Sequence, residues 1–388
     1  MTRLAAVAIA LIASRADADP LRLRADALAS TQSPAGLLVL EADAKATATI
    51  NAEAVVWTAA SPVPGQENGD VLVIAVKGRT EDGRASGKLG RFVAQLGALR
   101  PVHVDGAAGR VRLPQRFDVE AYAGIPVMPN LGADRSWDWV AGGRVARRLG
   151  DYGSVGVALL EQRDAGRLAT RELGLDAGFA IDEHHDVGAR FAYDLANLGI
   201  ADVSASAIRR FAKTRGELYG RYTAASHLLP ATSLFTVLGD TPSTRAGGLI
   251  SGRVAPRLEV TGDMGLRHGG TDISPVLSLR SRLALDDRFA SALTGELRRD
   301  GLGDDAWSGI RGAARIALPY ALFTSTELEL VVPDNDRGRG RVWPWGLVAL
   351  GWQHGPWSAA AAVEASSSAQ YRYRVDALFS LARQWGTP

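Results

Sequence analysis

The chain of 388 residues contains no cysteine. Disulfides, thiolate metal sites, a cysteine nucleophile and a lipid-modified N-terminal cysteine are all excluded. Lysine is nearly absent as well. Lys45, Lys77, Lys88 and Lys213 are the only four, so the 44 basic residues comprise 44 − 4 = 40 arginines. Against 42 acidic residues the net charge is +2, which argues against a nucleic-acid partner held by bulk charge. Long apolar runs are missing too, with one exception at the start. There "MTRLAAVAIALIASRADADP" places Arg3 before an apolar run from Leu4 to Ala13, then the small-x-small pattern Ala16-Asp17-Ala18. This is the layout of a secretory signal peptide over residues 1–18, cleaved to leave a mature chain of 19–388. The other reading is an N-terminal membrane anchor, but the run falls short of the roughly 20 apolar residues a spanning helix needs. No second run of spanning length follows, which argues against a helical inner-membrane protein. An exported soluble protein and an outer-membrane β-barrel are left.

What the chain does have is alternation with a period of two, the mark of strands with two unlike faces. In "RLEVTGDMGLR", Leu258, Val260, Met264 and Leu266 alternate with Glu259, Thr261, Asp263 and Arg267. In "ISPVLSLRSRLAL", Leu277, Leu279, Leu283 and Leu285 oppose Ser278, Arg280 and Arg282. "FASALTGELRR" sets Leu293 and Leu297 against Glu296 and Arg298. "VGARFAYDLANL" sets Phe191 and Tyr193 against Arg190 and Asp194, and "YALFTSTELELVV" sets Leu328 and Leu330 against Glu327 and Glu329. Such runs match the roughly 9–11 residues of a tilted strand that crosses a bilayer. The stretch 200–211 is ambiguous between strand and helix.

Counted back from a final strand that ends in the periplasm, the connections alternate between tight turns and longer loops. Turns fall near 354–356, 319, 286–288 and 256; loops fall at 333–341, 299–306, 268–271 and 240–245. That asymmetry belongs to transmembrane barrels. About 16 strand candidates lie between 136 and 385, and more lie at 21–30, 37–46, 50–60, 70–80, 88–95 and 117–126. The expected fold is all-β: a transmembrane antiparallel up-and-down β-barrel of about 18–22 strands. Residues 97–114 are candidates to fold inward.

Alternation alone does not say which row meets water. Strand length, the export signal and aromatics near strand ends favour the apolar row outside. Trp137, Trp139, Tyr320, Trp343, Trp345, Trp357 and Trp385 are the predicted membrane-interface aromatics. With its signal peptide, alternating strands and aromatic-rich last strand, the chain resembles the Gram-negative outer-membrane β-barrels of the porin-like kind. Such barrels end on an aromatic that the insertion machinery reads; here Gly386-Thr387-Pro388 follow Trp385. A local likeness to alginate-export-like barrels rests on Leu89, Gly90, Arg91, Asp105, Gly106, Tyr122 and Gly124.

On this reading the polar rows line a wet lumen. The pore-lining candidates are Arg190, Asp194, Glu259, Asp263, Arg267, Arg280, Arg282, Glu296, Arg298, Glu327, Glu329, Arg372, Arg374 and Asp376, with Glu172, Asp176, Arg311 and Arg315 beside them. In the last strand Tyr373, Val375, Phe379 and Leu381 would face lipid. Arg383 falls in that same greasy row, tolerable only near the membrane edge. The expected function is diffusion of small hydrophilic solutes through the outer membrane. A plugged structural or binding outer-membrane barrel without channel activity and a soluble secreted all-β protein are the alternatives.

Catalytic signals are weak. "DEHHD" at 182–186 has metal-ligand residue types but reads as a hairpin loop. His103 and Asp105 share a strand face, as an acid–base pair would, but a structural hydrogen bond or plain exposure is the favoured reading. "GLGDDAWSG" lacks the lysine of a phosphate loop, and no Gly-x-Ser-x-Gly occurs. Neither an enzymatic activity, a metal nor a cofactor is expected.

Overall fold

The computed structural model describes residues 21–30, 35–45, 47–60, 68–127, 138–224, 242–288, 290–335, 341–368 and 373–385. The predicted signal peptide, Trp137 and Arg372 lie outside them.

Among the described residues the chain forms 22 strands in one sheet. They are β1 (Leu21–Ser30), β2 (Ala35–Lys45), β3 (Ile50–Ala60), β4 (Asn68–Arg79), β5 (Ala85–Ala94), β6 (Val102–Arg112), β7 (Phe117–Pro126), β8 (Val140–Leu149), β9 (Gly153–Asp164), β10 (Arg167–Ala180) and β11 (His185–Asp194). The second half is β12 (Gly199–Arg210), β13 (Thr214–Thr223), β14 (Ser243–Ala255), β15 (Leu258–Gly269), β16 (Asp272–Ala284), β17 (Ala292–Asp300), β18 (Trp307–Ala317), β19 (Leu322–Pro333), β20 (Trp343–His354), β21 (Trp357–Ser366) and β22 (Arg374–Trp385). Each strand pairs antiparallel with its sequence neighbours. β1 closes on β22 over ten residue pairs, from Leu21↔Trp385 to Ser30↔Asp376. Closure leaves no unpaired edge, the condition for strands to cross lipid without exposing backbone N–H and C=O groups.

Direct partners across an antiparallel pair point to the same side of the sheet, so the register traces rows around the wall. One row runs Asp176↔Arg190↔Ser204↔Arg221↔Arg245↔Arg267↔Ser274. Another runs Arg280↔Glu296↔Arg311↔Glu329↔Trp345↔Ser366↔Arg374. The intervening rows hold Leu218, Ile250, Met264, Leu266 and Ile273, each more than half exposed. In water that surface would forfeit about 1.5–3 kcal/mol per side chain; facing hydrocarbon it costs nothing. A soluble all-β protein needs the apolar row inside; here the connection between β5 and β6 meets the charged rows at Glu172 and Arg190, across several strands, so the apolar rows lie outside.

The strand count matches the upper expected value, but the element boundaries need two corrections. The candidates at 21–30, 50–60 and 117–126 coincide with β1, β3 and β7. The ambiguous stretch near 200–211 is β12. The segment 97–114 splits: residues 95–101 leave the wall, while 102–112 are β6, a wall strand whose Gly106, Ala107, Ala108 and Gly109 hide its alternation. From 136 onward there are 15 strands, β8 to β22, one fewer than about 16. Connections at the end bearing both termini span two to seven residues; those at the opposite end run from two residues up to the 19 positions of 224–242.

Candidate functional site

The described core of this protein lies within the barrel wall's lumen side. Ala75, Phe92, Ala94, Leu96, Leu99, Val102, Val104, Tyr122, Val140, Ala158 and Leu160 form one buried apolar cluster. Apart from Leu96 and Leu99, these residues share a face of the sheet with Glu120, Arg144 and Glu172. The connection from β5 to β6, "QLGALRP", supplies Leu96 and Leu99 by folding inward. Leu99 N–H donates to the Leu96 carbonyl at 3.0 Å, which curls the loop.

Side chains of β7 to β11 receive it. Glycine at 174 leaves the space Leu99 fills: a Cβ there would lie 2.9 Å from Leu99 Cδ2. Gly97 has a φ of +54° and crosses directly over the Arg144–Asp176 pair, where a Cβ would meet both side chains. Arg190 Nη2 donates to the Gly97 carbonyl at 3.1 Å. Arg100 donates to Glu172 with both Nε and Nη2, and the two are buried. Breaking one side of such a pair leaves an uncompensated charge and costs roughly 3–5 kcal/mol. Around this Arg100–Glu172 latch the charges are paired: Arg144 bonds Asp176 at 2.6 and 3.0 Å and Glu120 at 3.4 Å, and Arg110 bonds Asp118.

The loop is too short to close a lumen of this strand number by itself. Seven residues extend at most about 25 Å, and a loop returning to the adjacent strand reaches about half that. Twenty-two strands about 4.8 Å apart, tilted about 40°, enclose a circular section about 40 Å across.

On the other side of the barrel the expected pore-lining charges stand in common register rows. Glu259, Asp263 and Arg267 lie on β15, Arg280 and Arg282 on β16, Glu296 and Arg298 on β17, and Glu327 and Glu329 on β19. Asp263 accepts from Arg245 Nη2 and Tyr219 Oη, both at 2.6 Å. Arg298 bonds Glu329 at 2.8 Å, and Arg311 lies 2.5 Å from Glu327. Arg374 and Asp376 pair at 2.5 Å beside the closing seam. Asp194 instead caps the turn after β11, accepting from Ala196 N–H, Asn197 N–H and Asn197 Nδ2. Arg280 and Arg282 are exposed and have no ion-pair partner among the described residues.

Two interface aromatics were misplaced by reading strand ends. Trp345 stands opposite Glu329 and Trp343 opposite Val331, in the charged rows and not the lipid row. The error is one of parity: a side chain's face follows register, and aromatic-proline-aromatic reads the same from either side. Trp357 and Trp385 do share the outward row with Arg383, whose guanidinium lies 4.8 and 4.6 Å from their ring centres. That contact explains a cation in the apolar row: two aromatic faces and the nearby rim stabilise it. Trp139 is partly exposed at the start of β8 beneath Arg163, and Tyr320 sits in the turn before β19, 90% exposed.

The remaining motifs are structural. Arg91 bonds both oxygens of Asp105 at 2.7 and 2.8 Å and Asp70 at 2.9 Å, tying β4, β5 and β6 together. Gly90, Gly106 and Gly124 stand directly opposite one another, with Gly90 at a φ of +126°. A Cβ at any of them would strike neighbouring backbone within 2.4 Å. The backbones therefore approach closely there, next to the inward loop. His103 Nε2 lies 2.6 Å from the Leu72 carbonyl oxygen, while Asp105 is engaged by Arg91. In "DEHHD", Asp182 accepts from the His184 and His185 N–H groups and faces His185 Nδ1, which holds its carboxyl below the usual range. No cluster of metal-ligating side chains occurs among the described residues.

No family model matches the sequence, and no curated protein matches it. Solved structures do. The translocation pore of the P pilus usher PapC aligns with a TM-score of 0.58 and 8% identity, over 95% of this chain and 100% of that one. A second structure of the same pore gives 0.52 at 8% identity, with the same coverage. OpdK of Pseudomonas aeruginosa, solved with vanillate, gives 0.44 at 13% identity over 95% and 98% of the two chains. The usher likeness shows the barrel fold and says nothing about what passes through it.

Proposed function

We propose that this protein is an outer-membrane barrel that passes small hydrophilic solutes by diffusion through a charged lumen. The observation that carries the proposal is the pairing of two features in one closed wall: apolar rows outward, and rows of arginine and carboxylate inward. Water-filled barrels need that division, and barrels of this size leave an aqueous interior unless plugged. The inward loop is too short to act as a plug by itself. Residues 1–18 serve as the export signal in this reading, and the last strand, ending at Trp385, is what the insertion machinery engages. The role is that of a conduit, with no catalytic step. Purified protein added to a planar lipid bilayer should give discrete conductance steps. An intact, heat-modifiable barrel that never conducts would overturn the channel and leave a binding barrel.

A further inference from the structure

Three of the four lysines in the chain line one cavity. It has a volume of about 910 Å3 and lies on the lumen side of β2 to β7, below the inward loop. Lys45, Lys77 and Lys88 come from three strands, and Phe92, Leu96 and Tyr122 give the cavity an apolar side. In a chain of 40 arginines, of which Arg79 and Arg110 also reach this lining, that concentration of lysine is a local choice of chemistry. Arginine's planar fork favours fixed bidentate pairs with wall carboxylates, whereas an ammonium is a compact charge on a flexible stem that adapts to a mobile anion.

The charges there do not cancel. Lys77 and Lys88 are direct register partners, and like charges placed opposite each other are destabilising. One carboxylate serves both: Glu53 bonds Lys77 and lies 3.2 Å from Lys88 Nζ. The Arg79 guanidinium donates to the Ala48 carbonyl, at 3.2 Å, and has no ion-pair partner among the described residues. Lys45 is exposed and has no ion-pair partner among the described residues. Arg110 and Glu120, also on the lining, are engaged with Asp118 and Arg144. Four cations (Lys45, Lys77, Arg79, Lys88) against Asp43 and Glu53 leave a surplus of 4 − 2 = 2 positive charges. The Tyr122 hydroxyl is buried and without a hydrogen-bond partner among the described residues.

We infer that this cavity is a binding site for a small organic anion with a doubly charged head and an apolar body, of which a phosphomonoester is the simplest case. The head matches the surplus charge at the lysines, and the body lies against Phe92 and Leu96. The inference rests on the channel reading, since solutes reach the cavity through the lumen, but binding and conduction are measured separately.

The test is isothermal titration calorimetry of the folded barrel in detergent micelles. Phenyl phosphate is the probe, with inorganic phosphate and benzylamine as comparators. Saturable phenyl phosphate binding is expected, weaker binding of inorganic phosphate, which lacks the body, and no binding of benzylamine. Lys45→Gln removes a charge that no wall group needs, so folding is spared; it should weaken binding about tenfold, the value of one charge-assisted contact. Glu53→Gln releases both lysines and should tighten it. Absence of saturable binding to the wild type, equal affinity in both variants, or benzylamine binding as tightly as phenyl phosphate would overturn the site. A barrel that conducts without binding overturns this inference alone; one that binds without conducting overturns the channel and leaves the site.

Discussion

The lumen wall of β7–β11 is covered, and that of β14–β19 is bare among the described residues. Under the loop, Glu172 is fully buried on Arg100, and Arg144 is shared by Asp176 and Glu120. Across the barrel the same residue types alternate just as regularly, yet Arg280 and Arg282 stand exposed and unpaired among the described residues. Identical sequence patterns therefore serve opposite ends: under the loop Arg100 and Arg144 are structural clamps, whereas across the barrel Arg245, Arg298 and Arg311 pair along the wall and leave Arg280 and Arg282 as charges presented to whatever occupies the lumen.

The comparison breaks most sharply at the latch. Glu172→Gln leaves the Arg100 guanidinium buried without its anion, and stability should fall by about 3–5 kcal/mol. Heat-modifiable gel migration reads the loss, and loop release should widen the single-channel conductance. Next in size is the lipid face. Met264→Arg, in the middle of an outward row, should cost about 2–4 kcal/mol in folding into bilayers, while Thr261→Arg on the lumen row of the same strand costs little. Equal penalties would show that the two faces are assigned wrongly. Arg280→Gln with Arg282→Gln should change stability by no more than about 0.5 kcal/mol. The same pair of changes should shift the zero-current potential toward cation preference. Arg144→Gln should instead destabilise, because Asp176 loses its partner and Glu120 keeps only Arg110.

The smallest effect lies in the turn before β17. Asp286 accepts from the N–H groups of Ala290, Ser291 and Arg288, and these bonds hold its carboxyl below the usual aspartate range. A depressed folded-state value means the turn's stabilisation is present above the ordinary aspartate pKa of about 3.9 and is lost as pH falls through the lower folded value. Amide exchange at Ala290 and Ser291 should therefore stay slow at pH 5 and quicken well below pH 4. In Asp286→Asn the step at that pH should vanish.

Much of the wall was legible because period-two alternation survives wherever one face meets lipid and the other water. Glu259 through Arg267 shows its two rows in the sequence as plainly as in the barrel. β6 escaped notice because its Gly106-Ala107-Ala108-Gly109 carries almost no polarity contrast, and because the Gly90, Gly106 and Gly124 alignment exists only across strands. Arg100 had no signal at all: its partner is 72 positions away. Trp343 and Trp345 were readable as aromatics at a strand end but not as lumen residues. The lysine cavity was half visible, since the scarcity of lysine is plain in the sequence and the convergence of Lys45, Lys77 and Lys88 is not.

By itself the sequence determined local geometry: strand lengths, turns, the two unlike faces and the absence of thiol chemistry. These follow from a repeat of two residues and from composition, which need no distant partner. Tertiary structure decided what depends on register and closure: which row faces inward, that the last strand seals against the first, that seven residues fold inside, and which arginines are clamped and which stand free. A one-residue slip in register would exchange every inward side chain for an outward one. Only the closed ring of pairings, from Leu21↔Trp385 around to the same seam, fixes that choice for every strand at once.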